Sequence, residues 1–237
     1  RQRQMCIRDR FCARPSDRPY QVSSWSEMKD YYAPADVWRA AALMLEAADD
    51  FKGQNNYEYD LVDVVRQALA EKGRVTMKVV AAAADARDKG LYRAASDRFL
   101  QLLLLQDRLL GTREEFRLGT WIGRARNLGA DPAEKDWLEW NARVQITTWG
   151  NRTAAENGGL RDYAHREWQG LLSDFYARRW KTWFDHRLAH WGEPELPKID
   201  FYALEEAWTL EKKHFAAAPE GDCVEMARQA MQEAFAR

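Results

Sequence analysis

From Tyr20 onward apolar residues recur at intervals of three and four, and no stretch alternates at two for long enough to form a strand. The pattern predicts an all-α chain: a multi-helix bundle with long antiparallel helices and no sheet. Pro34 at a first helical turn opens a helix over 34–49, with Val37, Ala41, Met44, Leu45 and Ala48 on one face. A polar loop at 52–56 ends it. Leu61, Val64, Val65, Ala68 and Leu69 then begin a long helix that runs through Val80 and stops near Gly90, with Gly73 weakening its middle. The next helix, 91–110, has an apolar run at Leu102–Leu105 that predicts a place in the centre of the core.

Thr112 and Glu115 have capping-box spacing, and Gly119 with Thr120 offers a second start, so two short pieces are expected there. Asp131, Pro132 and Glu134 give a clearer start to a helix reaching Thr148, broken at Trp149-Gly150. After the Gly-containing loop 151–159, the span 160–191 carries one broad apolar and aromatic stripe. It predicts a single rod of about 45 Å at ~1.5 Å per residue. Gly192, Pro194 and Pro197 end that rod, Asp200 caps the next helix, and Asp222 with Glu225 caps the last. No solenoid-length repeat is present.

Charge narrows the function. The chain has 36 Lys plus Arg against 37 Asp plus Glu, a net charge of −1, without the basic excess of a nucleic-acid binder. Every apolar run is broken by charge before the eighteen or so residues of a helical membrane span. The opening Arg1–Phe11, RQRQMCIRDRF, has no period, cap or apolar signal core. It resembles translated sequencing-adapter sequence, a disordered basic arm being the alternative, so residues 1–19 are expected to form an artefactual or disordered tail and 20–237 the domain. Cys6 and Cys12 fall in that tail, which leaves Cys223 alone and no disulfide framework or Cys-based metal site.

Candidate chemistry is sparse. His186 and His190 stand at i, i+4, but Arg187, Leu188 and Ala189 lie between them where a metalloprotease motif needs Glu. No Gly-rich phosphate loop or nucleophile elbow is present, and no metal or cofactor is expected. Asn151-Arg152-Thr153 is a glycosylation sequon, meaningful only in a secreted eukaryotic setting. Eleven Trp, nine Tyr and nine Phe signify either a core packed on rings or a surface that stacks on something flat. Around Trp149 the loop places an indole at one end of the bundle, with Leu160, Asp162 and Tyr163 opening the next segment. A pyranose could pack its apolar face there; on periodicity alone, Trp149 as a plug of the bundle end is the favoured reading.

Several segments together carry a resemblance. Tyr59–Asp63 with Arg66-Gln67-Ala68, Leu118–Trp121, Asn141–Gly150, Asp162-Tyr163-Ala164 and Arg179-Trp180 resemble, in order, the C-terminal helical domain of the α-N-acetylglucosaminidases of glycoside hydrolase family 89. The similarity runs from about Tyr31 to Arg237. It implies a fragment of an exo-acting hydrolase that removes terminal α-linked N-acetylglucosamine in an extracytoplasmic setting. The partner would be a (β/α)8 catalytic domain of the same polypeptide, carrying two glutamates upstream of Arg1, so no residue of this chain is assigned a catalytic role. Retaining glycosidases hold such carboxyls about 5–5.5 Å apart. Trp149, Leu160 and Tyr163 are implied to face the glycan. The 151–159 loop is longer and more polar than the family pattern, which affects the placement of Leu160. Arg143, Asp162 and Arg179 also match motif positions, where charged groups between helices more often serve as structural partners. The reading of a different class is a non-catalytic helical module that braces a neighbour.

Overall fold

The computed structural model describes residues 11–17, 32–156 and 164–236. Helix α1 (Pro34–Glu46) starts with Pro in its first turn, and α2 (Ala48–Phe51) is one further turn. Helix α3 (Asn55–Asp85) and α4 (Lys89–Leu110) form an antiparallel hairpin, turned by Arg87 at φ +57° and capped by the Asp88 side chain on the Leu91 amide. A 3-10 turn at Glu114–Phe116 leads to α5 (Leu118–Arg126), which pairs with α6 (Pro132–Ile146). Then come α7 (Arg152–Glu156), a π-helical turn at Leu172–Tyr176 continuing into α8 (Ala177–Ala189), α9 (Phe201–Leu210) and α10 (Cys223–Phe235). Helices α1 and α10 flank α3, α8 lies on α4, and α9 on α6. Among the described residues there is no strand, only an isolated bridge between Arg117 and Gln169, and no helix is long and apolar enough to cross a membrane.

The predicted caps at Asp131, Asp200 and Asp222 form: each accepts one or two amide hydrogens of its first turn, at 2.9–3.0 Å. Each satisfies donors that a helix start otherwise leaves unpaired. The Thr112 box does not form, because its hydroxyl donates back to the Leu109 carbonyl (2.7 Å) and closes the end of α4. Leu102, Leu103 and Leu105 are buried as expected, but Leu104 points outward, 43% exposed, since α4 packs on α3 and α8 with only part of its circumference.

The abundance of rings resolves into a core. Phe99 contacts Phe11 (5.2 Å between centroids), Trp180 (4.8 Å) and Phe184 (5.9 Å), while Tyr92 bridges Phe184 and Trp191. These offset and edge-on contacts add to what burial alone contributes.

Two expectations change. The tail reading fails for residues 11–17: Phe11, Cys12 and Ala13 are fully buried. Trp180 Nε1 donates to the Phe11 carbonyl (2.9 Å), and Arg179 donates to the carbonyls of Cys12 (3.1 Å) and Ala13 (2.9 Å). Asp17 accepts from Tyr92 (2.9 Å), Trp183 (3.0 Å) and Arg187 (2.9 Å). Gly73 is explained by the same segment, for a Cβ there would lie 2.7 Å from the Phe11 ring. The glycine that weakens α3 by propensity makes room for an aromatic anchor.

The single rod over 160–191 also gives way. Residues 164–169 are non-helical, and the helix begins near Leu171. Gly170 turns the chain at φ +86°, a conformation costly to any residue with a Cβ. Asp107 of α4 then accepts from the amides of Gly170 (2.7 Å) and Ser173 (3.0 Å), serving as a cap supplied from a distant helix. Burial pushes the Asp107 carboxyl up, and the two amide bonds oppose that rise.

Candidate functional site

The site expected from sequence lies where α6 ends. Thr147 and Thr148 are buried, and the Thr147 hydroxyl donates to the Arg143 carbonyl (2.7 Å). The chain then reverses at Trp149, whose amide donates to the Val144 carbonyl (2.8 Å). Trp149 has φ +63°, a left-handed conformation rare for a bulky residue, and it is 40% exposed. Trp180 and Trp208, by contrast, are buried.

Residues after the turn are tied to the start of α9. The Tyr202 hydroxyl, with one proton to give, lies between the Gly150 carbonyl (3.2 Å) and a Glu206 carboxylate oxygen (3.1 Å). Arg152 places both terminal nitrogens on the two oxygens of Asp200, each at 2.9 Å, and its guanidinium lies 4.6 Å from the Tyr202 ring centroid. The Asp200 hydrogen bond holds the Arg152 pKa above its ordinary value. Burial, and then the hydrogen bond to Glu206, raise that of the Tyr202 phenol. Asn151 caps α7 by accepting from the Ala154 amide (2.9 Å).

The scaffold beneath is polar and buried. Arg143, fully buried, donates to Glu139 (2.7 and 3.0 Å) and to the Lys213 carbonyl (2.8 Å). Its guanidinium sits between the rings of Trp208 (4.8 Å) and Phe215 (5.4 Å). Trp121 donates to the Ala142 carbonyl (3.0 Å) and tilts against Trp168, fixing α5 on α6 and on the returning chain. That return is anchored by Glu167, a buried carboxylate accepting from Gln106 (2.7 Å) and Arg66 (3.1 Å).

Of the expected site residues, Trp149 stands at the bundle end, whereas Leu160, Tyr163 and Asp162 lie outside the described residues. Arg143 and Arg179 are structural: Arg179 pairs with buried Glu205 (3.1 Å) and with the Phe11–Ala13 segment. His186 contacts the Pro197 carbonyl (2.9 Å) and His190 contacts Glu193 (2.9 Å), both beyond the end of α8. Glu167, Gln106 and Asp107 were missed from sequence. A carboxylate or amide in a helical stretch reads as solvated, and only its distant partners reveal otherwise.

An all-α domain with an aromatic turn held at one end is therefore the class that fold and site define. The family model of the α-N-acetylglucosaminidase (NAGLU) C-terminal domain matches residues 1–233. Human α-N-acetylglucosaminidase is 30% identical over 205 residues, covering 84% of this chain and 27% of that protein. Among solved structures, the family 89 glycoside hydrolase from Clostridium perfringens in complex with PUGNAc superposes with a TM-score of 0.87 at 33% identity, covering 94% of this chain and 26% of that one. A doubly Glu-to-Gln-substituted form of that enzyme, with its substrate GlcNAc-α-1,4-galactose, gives a TM-score of 0.88 at the same identity and coverage. The chain belongs to the α-N-acetylglucosaminidase C-terminal domain family of glycoside hydrolase family 89, and it spans about a quarter of the length of these relatives.

Proposed function

We propose that this chain is the helical wall of an exo-acting α-N-acetylglucosaminidase, an enzyme that hydrolyses terminal non-reducing α-linked N-acetylglucosamine. A (β/α)8 domain of the same polypeptide supplies the acid/base and nucleophile carboxylates, while this domain braces it and closes one side of the pocket. Trp149 offers its indole to the apolar face of the sugar, and Leu160 and Tyr163 complete the wall. The observation that carries the reading is a tryptophan left 40% exposed in a left-handed turn, on a scaffold of buried polar contacts. Strain of this kind survives only where its surroundings over-determine it, and it concentrates at functional sites. The complexes of the C. perfringens enzyme with PUGNAc and with its substrate support the choice of ligand.

In the full-length enzyme, Trp149→Ala should lower kcat/KM by about tenfold, equivalent to about 1.4 kcal/mol, with little change in melting temperature. A large drop in melting temperature with unchanged kinetics would remove Trp149 from the site. The chain expressed alone should release no nitrophenol from a nitrophenyl α-N-acetylglucosaminide.

A further inference from the structure

Resting on the reading of Trp149 as a sugar contact, we propose that Arg152 is a positioning residue for substrate recognition, locking the Trp149 turn through Asp200 and Tyr202. A bulky residue at φ +63° relaxes to negative φ unless the chain on both sides is held. On the near side the Val144 carbonyl holds the Trp149 amide. On the far side two links converge on one turn of α9: Tyr202, whose single hydroxyl proton is shared between the Gly150 carbonyl and Glu206, and Arg152 forked onto both oxygens of Asp200. The guanidinium also lies over the Tyr202 ring, so a single side chain joins both far-side links.

The pair is open to solvent, with side chains 47% and 54% exposed. Exposed ion pairs contribute little to global stability, so this one constrains geometry more than it stabilises the fold. Fork geometry is what an ammonium lacks, which makes Arg152→Lys informative: it keeps the charge and loses the second bond. Asp200 also caps α9 through the Ala203 amide, and Asp200→Asn retains that acceptor while removing the charge.

The test uses the chain labelled with 5-fluorotryptophan. Fluorine NMR resolves the Trp149 line, assigned by its loss in Trp149→Phe, with Trp180 as an internal control. Arg152→Ala and Asp200→Asn should each shift or split the Trp149 line and leave that of Trp180 in place. The double variant should do no more than either single one, Arg152→Lys should resemble Arg152→Ala, and melting temperatures should stay within about 2 °C. In the full-length enzyme, Arg152→Ala should raise KM about threefold or more with kcat nearly unchanged. An unmoved Trp149 line in Arg152→Ala overturns the proposal. So does an unchanged KM in Arg152→Ala where Trp149→Ala impairs binding. If the line moves but neither variant alters KM, the sugar-contact reading is what fails.

Discussion

Trp180 and Trp149 place the same side chain in two regions built on different physics. Around Trp180 the ring is fully buried, stacked on Phe184 (5.5 Å), edge-on to Phe99 (4.8 Å), and its nitrogen is satisfied by the Phe11 carbonyl. Around Trp149 the residue is 40% exposed, and the backbone beneath it is held by hydrogen bonds and an exposed ion pair. Stability therefore concentrates on one side of the molecule and conformational definition on the other. Residues that shape the turn can change without unfolding the bundle, which is where variation in recognition can accumulate.

Four measurements would break or sharpen that contrast. The largest effects belong to the buried rings. Trp180→Ala and Phe11→Ala should each cost roughly 3–5 kcal/mol in denaturant-unfolding free energy, as aromatic truncations in cores do. If Phe11→Ala costs less than about 1 kcal/mol, the Phe11–Asp17 segment lies outside the cooperative core. Next comes Arg179→Ala, which removes a 3.1 Å ion-pair contact from buried Glu205 (1% exposed) and should cost about 3 kcal/mol. Arg179→Met combined with Glu205→Leu should recover part of that loss; a double variant no better than the single one would mean the charge is not what matters.

On the other side the expected cost is far smaller. Trp149→Gly loses a partly buried ring but removes the left-handed strain, which offsets about 1–2 kcal/mol of that loss, so its net cost should stay within about 1 kcal/mol. Destabilisation of several kcal/mol would show that the ring is core after all. The smallest effect concerns Cys223. Burial, chiefly, and the nearby Glu58 push its thiol up to about 11. Since the folded value is the raised one, its contribution is complete below the unfolded thiol's titration near ~8.5 and fades as pH climbs towards the folded value. The stability advantage of the native chain over Cys223→Ala should thus shrink across that window. Alkylation at pH 9 should be slow until denaturant is added, and a native rate equal to that of a free thiol would contradict this.

Local chemistry was legible and distant chemistry was not. Asp131, Asp200 and Asp222 announce their helices because a cap acts on amides two and three residues away. Trp149 was legible as a turn residue at the bundle end for the same reason. The break at Gly170 was missed because an aromatic stripe of helical period runs across it, and the cap that fixes it, Asp107, comes from α4. Phe11–Asp17 has no periodicity of its own; its partners Tyr92, Arg179, Trp180 and Arg187 each read as members of other helices. Glu167 was invisible because a buried carboxylate and a solvated one are the same letter, and only Arg66 and Gln106 tell them apart.

The Phe11–Trp180 hydrogen bond spans 169 positions of the chain. At about 5–20 residues per second of synthesis, on the order of ten seconds or more separates the two ends of that bond on the ribosome. Through that interval the α3–α4 hairpin, already made, has Gly73 and Phe99 ready on one side while Trp180, on the other, does not yet exist. Closing so long a loop is only slightly dearer than closing one half its length, by about 0.6 kcal/mol, so the delay is one of availability more than of entropy. Within this domain, the Phe11 segment thus has Gly73 and Phe99 to pack on before its last partner, Trp180, is made.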